Sequence, residues 1–228
     1  MTINKSVGAV LAVLALGSAG VASAAAVPPP PPKVFTLTFE GVGDQNPVGD
    51  FYNNGGAGTN YGVSFSADAL ALVDADVVGG TGNFANEPSP NTVMFFLGTG
   101  TPTLTMTAGF STGFSFFYSS STKATVSVYD KDGGLLASLE LVAKGLDNCV
   151  GDPAGAFCNW TPVGVNFAGV ATSINFGGTA NQTGFDNITF GSAVPGPGPG
   201  PGNVPEPASL ALVGAALLGL AAMRRRKA

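Results

Sequence analysis

The apolar runs between residues 33 and 192 are short, and most keep a period of two. Phe35, Leu37 and Phe39 alternate with Thr36, Thr38 and Glu40, giving an extended segment one apolar and one polar face. The same alternation marks Phe114, Phe116 and Tyr118. It marks Val126 and Val128 set among Thr125, Ser127 and Tyr129, and again Leu135, Ala137, Leu139 and Leu141. Val93–Leu97 is apolar throughout, as a strand covered on both faces should be. Glycine clusters separate these runs: Asn53-Asn54-Gly55-Gly56, Gly79-Gly80-Thr81-Gly82 and Gly177-Gly178. Asp130-Lys131-Asp132-Gly133-Gly134 between two alternating runs predicts a hairpin. No segment of the middle keeps a helical repeat. The pattern predicts an all-β domain, a single jelly-roll-like β-sandwich of about ten strands spanning 33–192.

Composition removes several kinds of chemistry. The chain has no His, so a serine or cysteine relay through imidazole and a His-ligated zinc or haem are excluded. Its 34 Gly and 17 Pro oppose a helical bundle. Residues 27–192 carry thirteen acidic side chains against four Lys (Lys33, Lys123, Lys131 and Lys144), a net of −9. Nucleic acid is therefore not an expected partner.

The other five cations stand at the two ends of the sequence, which are of a different character. Residues 1–26 read as a secretory signal peptide. Lys5 supplies the positive region, Val7–Leu16 the apolar stretch, and Ala22-Ser23-Ala24 the small-residue cleavage site. Residues 27–32 form a stiff Pro-rich mature N-terminus. At the other end, residues 193–203 form a Pro-Gly linker, with four Pro-Gly repeats over Pro195–Gly202. Pro207–Met223 follows, seventeen residues without a charge, and then Arg224-Arg225-Arg226-Lys227. As a helix this segment would be about 25 Å long, enough to span a membrane with some thinning. The basic cluster predicts a cytoplasmic stop.

Pro205-Glu206-Pro207, the apolar segment and the Arg cluster, in that order over 204–228, closely resemble the PEP-CTERM sorting signal of Gram-negative bacteria. The resemblance implies export across the inner membrane and transient anchoring there. It implies processing by an exosortase, a transpeptidase-like membrane enzyme, and delivery to the cell surface or extracellular matrix, often in exopolysaccharide-producing strains.

Cys149 and Cys158 bracket eight residues that include Gly151, Pro153 and Gly155. In an exported chain this predicts a loop-stapling disulfide. Trp160, the only tryptophan, is expected to pack near it.

The strongest constellation joins the two ends of the domain. Glu40 closes the first strand, Asp44 and Asp50 lie in the following loop, and Asp186 opens the last strand. Alternation places Asp186 on the face of Ile188 and Phe190, where a carboxylate needs a cation or several donors. The pattern resembles the jelly-roll carbohydrate-binding modules, in which acids on the first and last strands hold a structural calcium. The resemblance makes Glu40, Asp44, Asp50 and Asp186 candidate calcium ligands, completed by Asn and loop carbonyl oxygens. The alternative is that these acids cap turns and accept backbone amides. Asp130-Lys131-Asp132-Gly133 looks like the start of an EF-hand, but its twelfth position is Leu141, so a turn is expected. Tyr52 and Tyr61 flank a Gly/Asn loop and are the candidate sugar-stacking residues. Asn83, Asn86 and Glu87 form a further polar loop cluster, expected to be solvated.

A carboxylate pair could hydrolyse glycosides without histidine, yet Glu40, Glu87 and Glu140 fall on separate elements. No serine relay through imidazole is possible, and there is no phosphate loop or metalloprotease helix. The expectation is an exported, non-catalytic envelope protein that interacts with exopolysaccharide or biofilm matrix. A purely structural surface protein is the first rival and a carboxylate-pair glycosidase the second.

Overall fold

The computed structural model describes residues 34–146, 149 and 155–196. The signal peptide, the linker from residue 197 and the sorting segment with its apolar stretch 207–223 lie outside the described residues. No helix long and apolar enough to cross a membrane occurs among the described residues.

Among the described residues eleven strands form in chain order: β1 (Phe35–Leu37), β2 (Val63–Phe65), β3 (Leu70–Val73), β4 (Thr92–Phe95), β5 (Thr103–Phe110), β6 (Phe114–Ser120), β7 (Ala124–Tyr129), β8 (Leu135–Leu141), β9 (Thr161–Val165), β10 (Ala171–Gly177) and β11 (Thr183–Phe190). One sheet has the order β3-β4-β11-β6-β9, with β1 also paired to β11; the other has β2-β5-β10-β7-β8. All strand pairings are antiparallel. The first and last strands are neighbours, Phe35 opposite Phe190 and Leu37 opposite Ile188.

The inner faces meet in an aromatic core. Phe116 and Phe185 of the first sheet pack edge-on against Phe176 of the second, with ring centroids 6.4 and 4.9 Å away. Phe110 meets Phe114 and Phe190 at 6.1 and 4.9 Å. Each such ring, removed from water, contributes roughly 1.5–3 kcal/mol.

β4 is buried at all four positions, Thr92 included, whereas Leu97 at the end of the apolar run is 48% exposed. The β7–β8 hairpin turns where expected, with Asp130 Oδ1 accepting the amides of Asp132 and Gly134 at 2.9 and 2.7 Å. In β8 the alternation is only partly honoured: Leu141 is buried, but Leu135 and Leu139 are 59% and 36% exposed. β8 is an edge strand, and a register shift against β7 at Leu136 brings that residue, not Leu135, against the core.

One expectation is overturned by the backbone. Asp186 does not share a face with Ile188 and Phe190. Between Asp186 and Thr189 the register against β6 slips, Asn187 and Ile188 of β11 opposing Phe116 alone, and Asn187 takes a φ of 48°. This bulge lets Phe185, Ile188 and Phe190 all point into the core while Asp186 points to the outer face.

Candidate functional site

The outer face of the six-stranded sheet is roofed. Residues 83–91 cross over it, and Ser89, flanked by Pro88 and Pro90, reaches the sheet at Asp186. The amide of Ser89 donates to Asp186 Oδ2 at 2.7 Å, its hydroxyl lies 2.8 Å from both carboxyl oxygens, and the amide of Asn187 donates to Oδ1 at 2.6 Å. Asp186 is fully buried. Burial pushes its carboxyl up to about 8, against the donors from Ser89 and Asn187; the charge of Glu40 pushes the same way as burial. The Ser89 hydroxyl, with one proton to give, donates to Asp186 and also lies within reach of Thr38 O, Thr92 O and Glu40 Oε1, at 3.1, 3.2 and 3.4 Å.

Glu40 binds the same roof from the other side. Its Oε1 accepts the amides of Asn91 and Thr92 at 3.0 and 2.8 Å, and Oε2 accepts the Thr92 hydroxyl at 3.0 Å. Glu40 and Asp186 are thus brought together around one serine, each occupied by N–H and O–H donors. The preceding residue, Phe39, has a φ of 64°, an uncommon conformation for a bulky side chain, and its buried amide donates to the Tyr52 hydroxyl at 2.6 Å.

The other two candidate calcium ligands are elsewhere. Asp44 accepts the Val73 amide at 2.9 Å and the Thr81 hydroxyl at 2.8 Å. Asp50, exposed, is held below the usual carboxylate value by hydrogen bonds from Ser64, at 2.7 Å, and Asn53, at 3.3 Å. A calcium shell needs six to eight oxygens turned toward one point. Here each carboxylate faces its own hydrogen donors, and no group of three or more acidic or thiol side chains able to hold a metal occurs among the described residues. The four acids do not fit a single calcium site. Glu40, Asp44 and Asp186 accept backbone amides, and Asp50 accepts side-chain donors.

Beside this cluster lies a groove of about 450 Å³. Thr36, Thr38 and Glu40 form one wall, on the outward face of β1 and just beyond it; Phe51, Thr59 and Tyr61 form much of the other. Both candidate tyrosines line it. Tyr52, however, is not an exposed platform: it is 5% exposed, because the Phe39 amide needs its hydroxyl inside. Burial pushes that hydroxyl up to about 12. Tyr61 is half-buried, with its ring stacked on Phe35 at 4.3 Å and 14°. The groove is mostly polar, with hydroxyls and one carboxylate, and suits a hydrophilic ligand.

Ser89 went unnoticed in the sequence. Only its place between two prolines marks it, and nothing local says that it meets a carboxylate 97 residues away.

The disulfide joins Cys149 and Cys158, with Cα atoms 5.6 Å apart. It braces a second part of the roof. The amides of Ala156 and Phe157 donate to Asn83 O, that of Ala85 donates to Phe157 O, and the Trp160 indole N–H donates to Ala85 O at 3.1 Å. Trp160 rests on Gly184 of β11, where an added Cβ would lie 3.1 Å from the ring.

The polypeptide thus defines an all-β, two-sheet domain preceding a tail of distinct composition. Residues 203–227 of that tail match the PEP-CTERM protein-sorting motif. No curated protein matches the chain. Among solved structures, the K2 cleaved adhesin domain of Lys-gingipain is similar at 14% identity and a TM-score of 0.40, over 69% of this chain and 99% of that one. The K3 cleaved adhesin domain of Lys-gingipain from Porphyromonas gingivalis w83 is similar at 16% identity and a TM-score of 0.30, over 56% and 93%. An arabinose-bound α-L-arabinofuranosidase is similar at 15% identity and a TM-score of 0.33, over 57% of this chain and 23% of that one. Each is a likeness and carries no function to this chain.

Proposed function

We propose that the protein is an exported, non-catalytic surface protein whose sandwich meets exopolysaccharide or biofilm matrix. The observation that carries its destination is the sorting motif at 203–227. In this reading Pro205-Glu206-Pro207 and Arg224–Arg226 present the tail to an exosortase at the inner membrane of a Gram-negative bacterium, and the domain is then displayed outside. Mass spectrometry of surface material from an exosortase-bearing strain should find the tail removed. An intact tail there would overturn the processing step.

The groove beside Glu40 supports the glycan part of the reading, because its threonine hydroxyls and carboxylate can exchange hydrogen bonds with sugar hydroxyls. The two carboxylates nearest to it argue against hydrolysis. Asp186 is fully buried behind Ser89, and Glu40 already accepts three donors from the roof, so neither is free to act on a substrate. The jelly-roll-like description rests on first and last strands lying side by side within a two-sheet sandwich.

Affinity electrophoresis of the purified protein in the producer's own exopolysaccharide tests the binding. Retardation without shortening of the polymer is expected, equal in calcium and in chelator. Unchanged migration would leave a structural surface protein. Shortening of the polymer would make it a glycosidase, and retardation lost in chelator would restore calcium.

A further inference from the structure

On the far side of the roof from Glu40 is a second concavity, separate from the groove. Phe84, Phe157 and Trp160 wall it, and Val93, Phe95 and Gly184, on the outer face of β4 and β11, form its floor. Asn83 and Asn181 stand exposed at its rim. None of its described lining residues is ionisable. Four features restrict what it can hold. Its volume is about 30 Å³. One water needs roughly 10–15 Å³ on that measure, so a group of two or three heavy atoms fits, while a hexose of about a dozen does not. The walls are apolar, so the inserted end is a methyl. The rim offers two carboxamides, each both donor and acceptor, which match a group presenting one N–H and one C=O. Absence of charge at the lining selects a neutral group.

The geometry points to a subsite for the acetamido group of an N-acetylated sugar, the methyl seated against Trp160 and Phe84 and the amide paired with Asn83 and Asn181. This rests on the glycan-binding reading and narrows it to polymers that carry N-acetyl amino sugars. The site is held open by two devices already described. The Cys149–Cys158 bond braces the segment carrying Phe157, and Gly184 leaves room beneath the indole.

Because Trp160 is the only tryptophan, its emission in the full chain, kept in detergent, reports on the cleft alone. N-acetylglucosamine should shift that emission saturably. Glucose and glucosamine should bind about ten-fold more weakly or not at all, since they leave the apolar end empty. A 6-O-acetylglucose arm separates amide from ester: equal binding would overturn the role of the amide. Asn181→Gly removes one carboxamide while tolerating the φ of 57° there, and should weaken N-acetylglucosamine several-fold without moving the melting temperature. Gly184→Ala should weaken it more, by crowding the indole. The same preparations are run in exopolysaccharide gels. Retardation in those gels with no response to N-acetylglucosamine overturns the subsite and leaves the glycan-binding reading standing. Loss of both overturns both.

Discussion

The outer faces of the two sheets of this sandwich carry similar small polar residues and have opposite fates. On the five-stranded sheet Thr105, Thr107 and Thr125 stand exposed, with Ser173, Asn175 and Ser127 half-exposed among them. On the six-stranded sheet Ser115, Ser119 and Asp186 are at most 1% exposed. What differs is cover: Ser89 binds Asp186, Trp160 rests on Gly184 beside Ser119, and Ala193 lies against Gly164 beside Ser115. Residues 83–91 and 155–160 lie across the second face and are tied down by Glu40, Asp186 and the Trp160 indole. A bare twisted sheet offers a surface, whereas a roofed one offers edges and seams. The cleft at Trp160 is walled by this roof, and the groove begins at Glu40, the residue that fastens it. The comparison teaches that the acids here act as fasteners and that the binding geometry is a consequence of what they fasten.

The sharpest way to break that comparison is to cut the deepest fastener. Asp186→Ala strips the acceptor from two amides and a hydroxyl in a dry site, and should cost about 2–4 kcal/mol in denaturant unfolding. A loss under about 1 kcal/mol would mean that the roof does not hang on Asp186. The same residue predicts a pH dependence of definite sign. Its folded value of about 8 lies above the ordinary 3.8, so between those values the folded protein keeps a proton that the unfolded chain has lost. Stability should therefore fall as pH rises from about 4 to about 8 and level off above. Asp186→Asn, which cannot ionise, should flatten the profile; a melting temperature that rises from pH 5 to pH 8 in the unaltered protein would contradict the assignment.

Next in size is the disulfide, which acts on the same roof from its other end. Reducing it, or replacing Cys149 and Cys158 by Ser, should cost about 2–3 kcal/mol, as closure of a short loop implies. Trp160 emission should redden as the segment over Gly184 loosens. If stability falls but the emission is unchanged, the bond stabilises the chain without bracing the cleft, and the two parts of the roof are independent.

Much of this could be read in the sequence, and the failures have a common cause. Alternation located β1, β6 and β7, the glycine-rich turn located the β7–β8 hairpin, and cysteine spacing located the staple. These are signals between residues a few positions apart. Glu40 and Asp186 were also singled out together, since acids at the ends of the first and last strands meet wherever those strands pair. The face of Asp186 is not legible from alternation, because a single extra residue at Asn187 inverts the period, and bulges leave no mark when the inserted residue is an ordinary Asn. Asp44 and Asp50 are close to Glu40 in sequence, yet Asp44 is held by Val73 of β3 and Asp50 by Ser64 of β2. The roof has no periodicity at all. Its position depends on Ser89 meeting Asp186 and on Phe157 meeting Phe84, contacts that only the folded chain makes.

The smallest effects sharpen the comparison most cleanly, because they separate burial from residue type. Ser115 Oγ is buried on the roofed face and has no hydrogen-bond partner. Removing a hydroxyl that lost its water and gained nothing should help, so Ser115→Ala is expected to stabilise the protein by up to about 1 kcal/mol. Thr105→Val makes a nearly isosteric change at an exposed site on a central strand of the open sheet, and should move stability by less than about 0.5 kcal/mol. Both are read from denaturant midpoints at constant slope. If Ser115→Ala destabilises, the hydroxyl has a partner after all, a trapped water being the simplest, and that face is wetter than its burial indicates. If Thr105→Val stabilises substantially instead, the open face is itself covered in solution. The five-stranded sheet would then have to be counted as a contact surface alongside the roof.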